Sequence, residues 1–465
     1  MKKEFLILAV LTMAGLLTVN PNTHHSSAQT TATYSLWYAA PKHIETFLKT
    51  QITAFQLTNQ DIKITATAIS NEDFREDYFD AFTKGTQPDL VLAPTTWIPS
   101  LVATDRLKTT DLGSGVFRDE AIRLVSYWDS EGKVQTYGYP LYLDTTVMVY
   151  NQQIFDDYGV DMATQSRWSW SEFEYAVRKA TNQTNPAAST FGTILEGMMS
   201  FEAYFYGNGS RLFKDYKVDA NHIVGDSSQA LGTFNYIDRL LRTYEVMPAW
   251  EDHGTLASVL DLMGTQERAA TVFLPISKIY PLLNESSVGQ AGDLRILETP
   301  EKGGALHGQA LLLHSDLTEE AESDLSRFCD FLVSEEIQEK IASEIYLAPV
   351  LKEGYSASSP IFSTIKNAID RAYQKPISLH MLTIEDAFQD QAYQLLEEEK
   401  TTEQAQTAIS IIFRQRLPDV APHNGLPTEL GEEEGSEGVT VAIWTFFVGM
   451  IILALAAMRR KRKLR

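Results

Sequence analysis

The sequence is short of several residue types, and each shortage excludes something. Of its 465 residues only Cys329 is a cysteine, so no internal disulfide and no multi-cysteine metal site can form. No cysteine lies near the N-terminus to carry a lipid. Positive charge is scarce as well. Lys and Arg number 39 against 61 Asp and Glu, a formal net charge of −22 at pH 7. The first 28 residues and the last seven are both net basic, so the acidity falls on the stretch between them. A surface of that sign repels phosphate backbones and argues against nucleic acid as a partner. The common catalytic signatures are missing too: there is no Gly-x-Ser-x-Gly elbow, no P-loop and no His-Glu-x-x-His pair. The nine histidines are scattered, and His307 and His314 flank an apolar run, the usual setting of core histidines. Cys329 reads as a small core residue on an apolar helix. With 61 carboxylates a glycosidase pair is not excluded by counting, but nothing singles one out. Neither a metal nor a cofactor is expected.

What is present begins at the two ends. Residues 1–28 read as a secretory signal. Lys2 and Lys3 form its charged start, Phe5 to Val19 its apolar run, and Ser26-Ser27-Ala28 a small-residue cleavage site before Gln29. That run is short for a membrane span, which favours cleavage. At the other end, residues 439–458 carry no charge over 20 positions, enough to cross a bilayer. The basic tail at 459–465 follows at once, and by the positive-inside rule it is cytoplasmic, with the body outside the membrane. A degenerate sorting signal for sortase is the rival for this end. Leu426-Pro427-Thr428 approximates such a motif, but its threonine comes one place early and no glycine follows. Residues 417–438, rich in Pro, Gly and Glu, read as a flexible, self-repelling stalk.

The whole chain is 44% hydrophobic and 11% aromatic, the composition of a folded protein. Its length suits two or three domains or one two-lobed body. Thr33 to Ala39 is a short β-rich run, and Ile44, Phe47, Leu48, Ile52 and Phe55 then follow at helical spacing. Ile62, Ile64, Ala66 and Ala68 alternate as on a half-buried strand. Leu90 to Ala93 is a continuous apolar run, suited to a parallel strand covered on both faces. Leu325, Phe328, Phe331 and Leu332 mark a late helix, and Ala405, Ala408, Ile409 and Ile412 another. Strand–helix alternation over this length predicts an α/β fold with parallel sheets.

Several segments, in order, resemble the extracellular solute-binding proteins of carbohydrate ABC transporters, the maltose-binding-like family. They are Ser35-Leu36-Trp37-Tyr38, Ile62 to Thr65, and Gly85 to Ala93 with its Pro88-Asp89. Tyr139-Pro140-Leu141 with Val149-Tyr150-Asn151, Trp168 to Phe173, Leu294 to Pro300 and Glu319 to Val350 complete the series. The resemblance implies a two-lobed periplasmic-binding-protein-like fold of type II, with a C-terminal transmembrane helix added here. The binding domain would span 29–416. One lobe would take about 31–143 and 294–345, the other about 147–292 and 350–416, with crossings near Asp144 to Thr146, near Asp293 and near Tyr346 to Val350. Two such lobes close on a ligand by hinge motion.

The same resemblance implies a site. Sugars offer flat apolar faces rimmed by hydroxyls, so their receptors need aromatic platforms together with carboxylate, amide or cationic groups. Asp144 matches a family carboxylate that binds sugar hydroxyls, or else caps a turn. Thr95, Thr96 and Trp97 follow the Asp89 strand in a loop where the family places cleft contacts; Trp97 stands three residues beyond the family's stacking aromatic and suits a core role equally. Tyr38 and Lys42 occupy the first-strand loop, Lys42 with the alternative of a plain solvated charge. Phe201, Tyr204 and Tyr206 offer a platform or core packing in the second lobe. Where the family often has tryptophan after Pro275, this chain has Ile276 and Ser277, and near Ile384 and Glu385 it lacks an aromatic. These departures argue against maltodextrin specificity. The implied protein is not an enzyme. It is a membrane-anchored receptor outside the cytoplasmic membrane that hands a sugar or oligosaccharide to the permease subunits of an ABC importer. A surface glycan-acting enzyme, or a ligand-sensing or adhesive protein on the same fold, is the alternative.

Overall fold

The computed structural model describes residues 31–113, 115–162, 167–185, 189–353 and 360–420. The expected signal segment, span and basic tail lie outside the described residues, as does the stalk beyond 420. Among the described residues no helix is long and apolar enough to cross a membrane.

Two sheets organise the chain. In the first, β1 (Ala32–Tyr38) pairs in parallel with β2 (Ile62–Ala68) and with β3 (Leu90–Pro94). Helices Lys42–Thr58 and Phe74–Lys84 make the connections, as parallel pairing requires. On β2, Ile62 and Ile64 are buried while Lys63 and Thr65 are exposed, whereas Leu90 to Ala93 of β3 are buried without a break. The periodicities thus reflect one covered face and two. A hairpin of β4 (Ser126–Trp128) and β5 (Val134–Thr136) leads into β6 (Tyr139–Asp144). The second sheet centres on β7 (Thr146–Asn151), flanked antiparallel by β8 (Thr271–Pro275) and β9 (Leu294–Glu298). Strand β10 (Ala305–Leu313) then returns to the first sheet between β3 and β6, antiparallel to both, and β11 (Tyr373–Gln374) joins its edge.

Several helices begin where the sequence supplies acceptors for free backbone N–H groups. Ser169 with Glu172 and Thr401 with Gln404 form capping boxes for helices Trp170–Lys179 and Thr402–Arg416. Thr318 caps Glu319–Leu332, whose first turn carries Glu319, Glu320 and Glu322 toward the positive end of the helix dipole. The first sheet is covered on one face by a core that includes Leu48, Phe55, Leu141 and Phe328, and on the other by Tyr78, Val91 and Leu312. The second lobe packs a separate aromatic core around Trp170, Phe173 and Phe273.

The chain first passes between lobes at Thr145, which links β6 to β7. The return crossing differs from the expectation. Leu294–Glu298 pairs with β7 in the second sheet, so the chain crosses after Glu298 and not near Asp293. An apolar run identifies a strand, but not which sheet supplies its partner. Near Tyr346 to Val350 the chain has not yet left the first lobe: Ala348 still bridges to Leu143, and Leu351 to Phe117. The crossings are tight. A Cβ on Gly304 would sit 2.0 Å from Thr146 Oγ1, so only glycine admits that approach.

Candidate functional site at the lobe junction

Strand ends from the two sheets meet where the chain crosses. Asp144 closes β6 and pairs in register with His307 of β10. Across the junction β8 ends at Pro275 opposite Thr146, which brings the next turn, Ile276–Tyr280, against Thr145. The Ile276 N–H donates to the Thr145 carbonyl at 2.9 Å. Ser277 then donates to the Asp144 carboxylate twice, from its hydroxyl at 2.5 Å and from its N–H at 3.3 Å. Both residues are buried, Asp144 at 6% exposure. Burial pushes the Asp144 carboxyl up from its ordinary pKa, while the Ser277 bonds and the charges of His307 and Lys278 hold it down in part.

Beside this pair stand two glutamates on one short segment. Glu196 precedes helix Gly197–Gly207 and is bridged to Gly254, whose N–H donates to the Leu195 carbonyl. It is 4% exposed, and its Oε1 accepts from Lys278 Nζ at 2.6 Å. Its Oε2, also buried, has no hydrogen-bond partner. Burial raises its pKa; Lys278 opposes the rise and Asp144 adds to it. Glu202, one and a half turns further on, is saturated. It accepts from His307 Nε2 at 2.8 Å and from Lys375 Nζ at 3.2 Å, and Lys375 also binds Glu385 at 2.6 Å. Burial works against the Glu202 carboxylate, but Lys375 and His307 outweigh it and hold the pKa down to about 2. Burial works against the Lys375 ammonium as well, but Glu202 and Glu385 outweigh it and raise its pKa above the usual range.

Two half-buried aromatics flank Glu196. A Cβ on Gly197 would lie 3.9 Å from Tyr393 Oη, and the Tyr393 ring packs on Trp250 at 5.4 Å. Gly254, with φ +103, makes room for that indole, since a Cβ there would lie 2.9 Å from it. The junction therefore combines a free carboxylate oxygen, a second carboxylate, a hydroxyl, an ammonium and ring surface. Together these groups can accept from and donate to the hydroxyls of a ligand. Among the described residues no cluster of His, Cys, Asp and Glu is arranged to hold a metal ion.

Of the residues expected from sequence, the structure brings Asp144 and Ser277 together and scatters the rest. Trp97 is 5% exposed and packs on Phe74, Tyr78 and Phe79. Thr95 is buried beside Gly308, and Thr96 is half-buried. Tyr38 is fully buried in the first lobe, while Lys42 is exposed and pairs with Glu45 at 3.4 Å. Phe201 packs between Phe234 and Phe388, Tyr204 against Trp170 and Phe273, and Tyr206 stacks on Tyr373 at 4.8 Å. His314 is buried as expected, bonded to Tyr78 Oη. His307 is not a core histidine; it is the Glu202 partner. Glu196, Glu202, Lys278, Lys375, Trp250 and Tyr393 carried no motif. One signal was there: between Phe191 and Gly207 the only charged residues are Glu196 and Glu202. Isolated acids in an apolar run are buried with partners or with a purpose.

Residues 39–294 match the family model of the bacterial extracellular solute-binding proteins. Solved structures of the same architecture include the GacH receptor of Streptomyces glaucescens, described unliganded and with acarbose. It has a TM-score of 0.71 at 16% identity, covering 84% of this chain and 100% of that one. Maltose-bound MalE3 of T. maritima gives 0.72 at 17%, covering 83% and 100%. The substrate-binding protein Lmo0181 of Listeria monocytogenes, in complex with cycloalternan, gives 0.70 at 17%, covering 83% and 98%. A search of curated protein sequences finds no match. The two-lobed α/β body has the maltose-binding-like fold.

Proposed function

We propose, from the premise that the chain belongs to the family of bacterial extracellular solute-binding proteins, that it is the receptor of a carbohydrate ABC importer and binds a sugar or oligosaccharide between its lobes. The observation that carries this reading is the Glu196 carboxylate, buried at the junction with one oxygen bound to Lys278 and the other without a partner. An unpaired buried acceptor is costly unless a ligand donor completes it. Sugar hydroxyls are such donors, and the half-buried rings of Trp250 and Tyr393 offer the flat apolar face that a pyranose covers. Acarbose, maltose and cycloalternan in the related structures support the same ligand class. Asp144 would orient Ser277 and Lys278 from the first lobe, so that ligand contact and lobe closure are one event.

A titration of the purified chain with a panel of mono- and oligosaccharides tests this. A sugar present at a hundred times its Kd should add about 2.7 kcal/mol of stability. Thermal denaturation unmoved by every sugar in the panel would refute the ligand class, and turnover of a labelled glycan would replace the receptor with an enzyme.

Delivery to a permease requires the body to face outward. The signal at 1–28, the uncharged stretch at 439–458 and the basic tail at 459–465 support an extracytoplasmic body held by a single C-terminal span. Protease added to intact protoplasts should release a soluble fragment cut within the acidic stalk. A body that resists until the membrane is broken would reverse this orientation.

A further inference from the structure

A second opening in the molecule has the opposite character to the sugar site. It is a cavity of about 560 Å³ lined by Arg123, Arg211, Lys302 and Arg371, with Glu301 as its one acidic wall residue and Tyr373 as ring surface. Arg123 belongs to helix Asp119–Leu124 of the first lobe. Arg211 follows helix Gly197–Gly207 in the second, and Lys302 stands in the crossing between β9 and β10. The cavity thus draws its cations from both lobes.

Their partners are few. Arg371 is bound to Glu298 at 2.6 Å. Arg123 donates to the neutral Gln374 side chain. The Arg211 guanidinium lies 3.8 Å over the Tyr373 ring and gives the bonds from Nη1 to the Tyr206 and Ser210 carbonyls. Among the described residues neither Arg123, Arg211 nor Lys302 forms an ion pair. Four cations against Glu298 and Glu301 leave an excess of two positive charges, in a chain whose net charge is −22. Such a concentration is repulsive when empty, and guanidinium groups match tetrahedral oxyanions through paired N–H donors.

We propose that this cavity is a binding site for a dianionic phosphate group, held by Arg123, Arg211 and Lys302 of its lining. A phosphate monoester carries close to two negative charges at neutral pH, which equals the excess. The volume exceeds that of bare phosphate and admits a monosaccharide-sized group attached to it, so the occupant is inorganic phosphate or a small phosphate ester. Because its cations come from both lobes, the bound group ties the lobes together through residues that the Glu196 site does not share.

The test uses the full-length chain in isothermal titration and thermal denaturation, with inorganic phosphate, glucose 6-phosphate and glucose, in NaCl of matched ionic strength. The parent should respond saturably to one or both phosphate compounds. The Arg123→Gln/Lys302→Gln pair should weaken that response by about tenfold or more, the loss of charge-assisted contacts, while melting near the parent when no phosphate is present. Asp144→Ala should leave the phosphate response unchanged, which separates this cavity from the sugar site. Saturation by glucose 6-phosphate alone identifies the ester as occupant, and saturation by inorganic phosphate identifies the free ion. A parent that responds only as it does to NaCl, or a double variant that binds as the parent does, would overturn the proposal.

Discussion

Glu196 and Glu202 sit six residues apart at the start and middle of one helical segment, both buried at the junction of the lobes, yet their carboxyl groups shift in opposite directions. Glu202 has a basic partner on each oxygen and is held down to about 2. Glu196 has one basic partner, an oxygen with none, and a pKa pushed up by burial. Burial alone therefore says little about a carboxylate. Saturation distinguishes an acid that locks the fold from one that waits for a donor.

The sharpest way to break this contrast is to remove the lock. Glu202→Ala leaves Lys375 buried beside Glu385 alone, and breaking a buried pair in this way costs about 3–5 kcal/mol. Chemical denaturation should show that loss. A variant as stable as the parent would mean that Glu202 does not lock the fold. Trp97→Ala probes the aromatic core of the first lobe at a comparable cost of about 3–5 kcal/mol. Its folded fraction should retain the parent's sugar affinity, and a lost affinity in folded protein would return Trp97 to the cleft.

Changes at the ligand-seeking side should read out in affinity. Glu196→Gln keeps the shape but replaces a charged acceptor, and Asp144→Ala removes the group that positions Ser277. Charge-assisted bonds contribute about 1.5–3 kcal/mol, so each variant should bind sugar about ten- to a hundredfold more weakly. Parent-like affinity in Glu196→Gln would remove the central residue of the proposed site.

The smallest effect near neutral pH comes from titration. Because the Glu202 pKa is depressed in the folded state, its stabilisation is complete above about 4.5 and is lost as pH falls toward about 2. His43 and His314 are buried with pKa values lowered to about 4. The unfolded chain takes up their protons first, so stability also declines as pH falls from about 6.5 to about 4. Other carboxylates, Asp370 among them, are also held down, so Glu202→Gln should make the lower limb shallower and leave the upper one. If the lower limb keeps the parent's depth in that variant, Glu202 contributes nothing to it.

Much of this architecture could be read from periodicity. Alternation over Ile62–Thr65 and the unbroken run Leu90–Ala93 mark one-sided and two-sided burial, because side-chain direction follows strand geometry directly; the pattern fades at the strand end, where Ala68 is exposed. Asp144 and Ser277 were reachable because each ends or follows a strand that a local motif identifies. Phe201, Tyr204 and Tyr206 show the limit. An aromatic triplet looks the same in sequence whether it faces a ligand or a core, and here it packs on Phe234, Trp170 and Tyr373. Glu196, Lys278, Trp250 and Tyr393 converge from four separate stretches of the chain. Composition, strand and helix periods, capping and the order of family segments are local properties, and the sequence determined them alone. The site depends on which sheet β9 joins, how closely Gly304 lets two crossings approach, and which carboxylate oxygen is left without a donor. Those are contacts between residues up to about two hundred positions apart, and only the folded chain decides them.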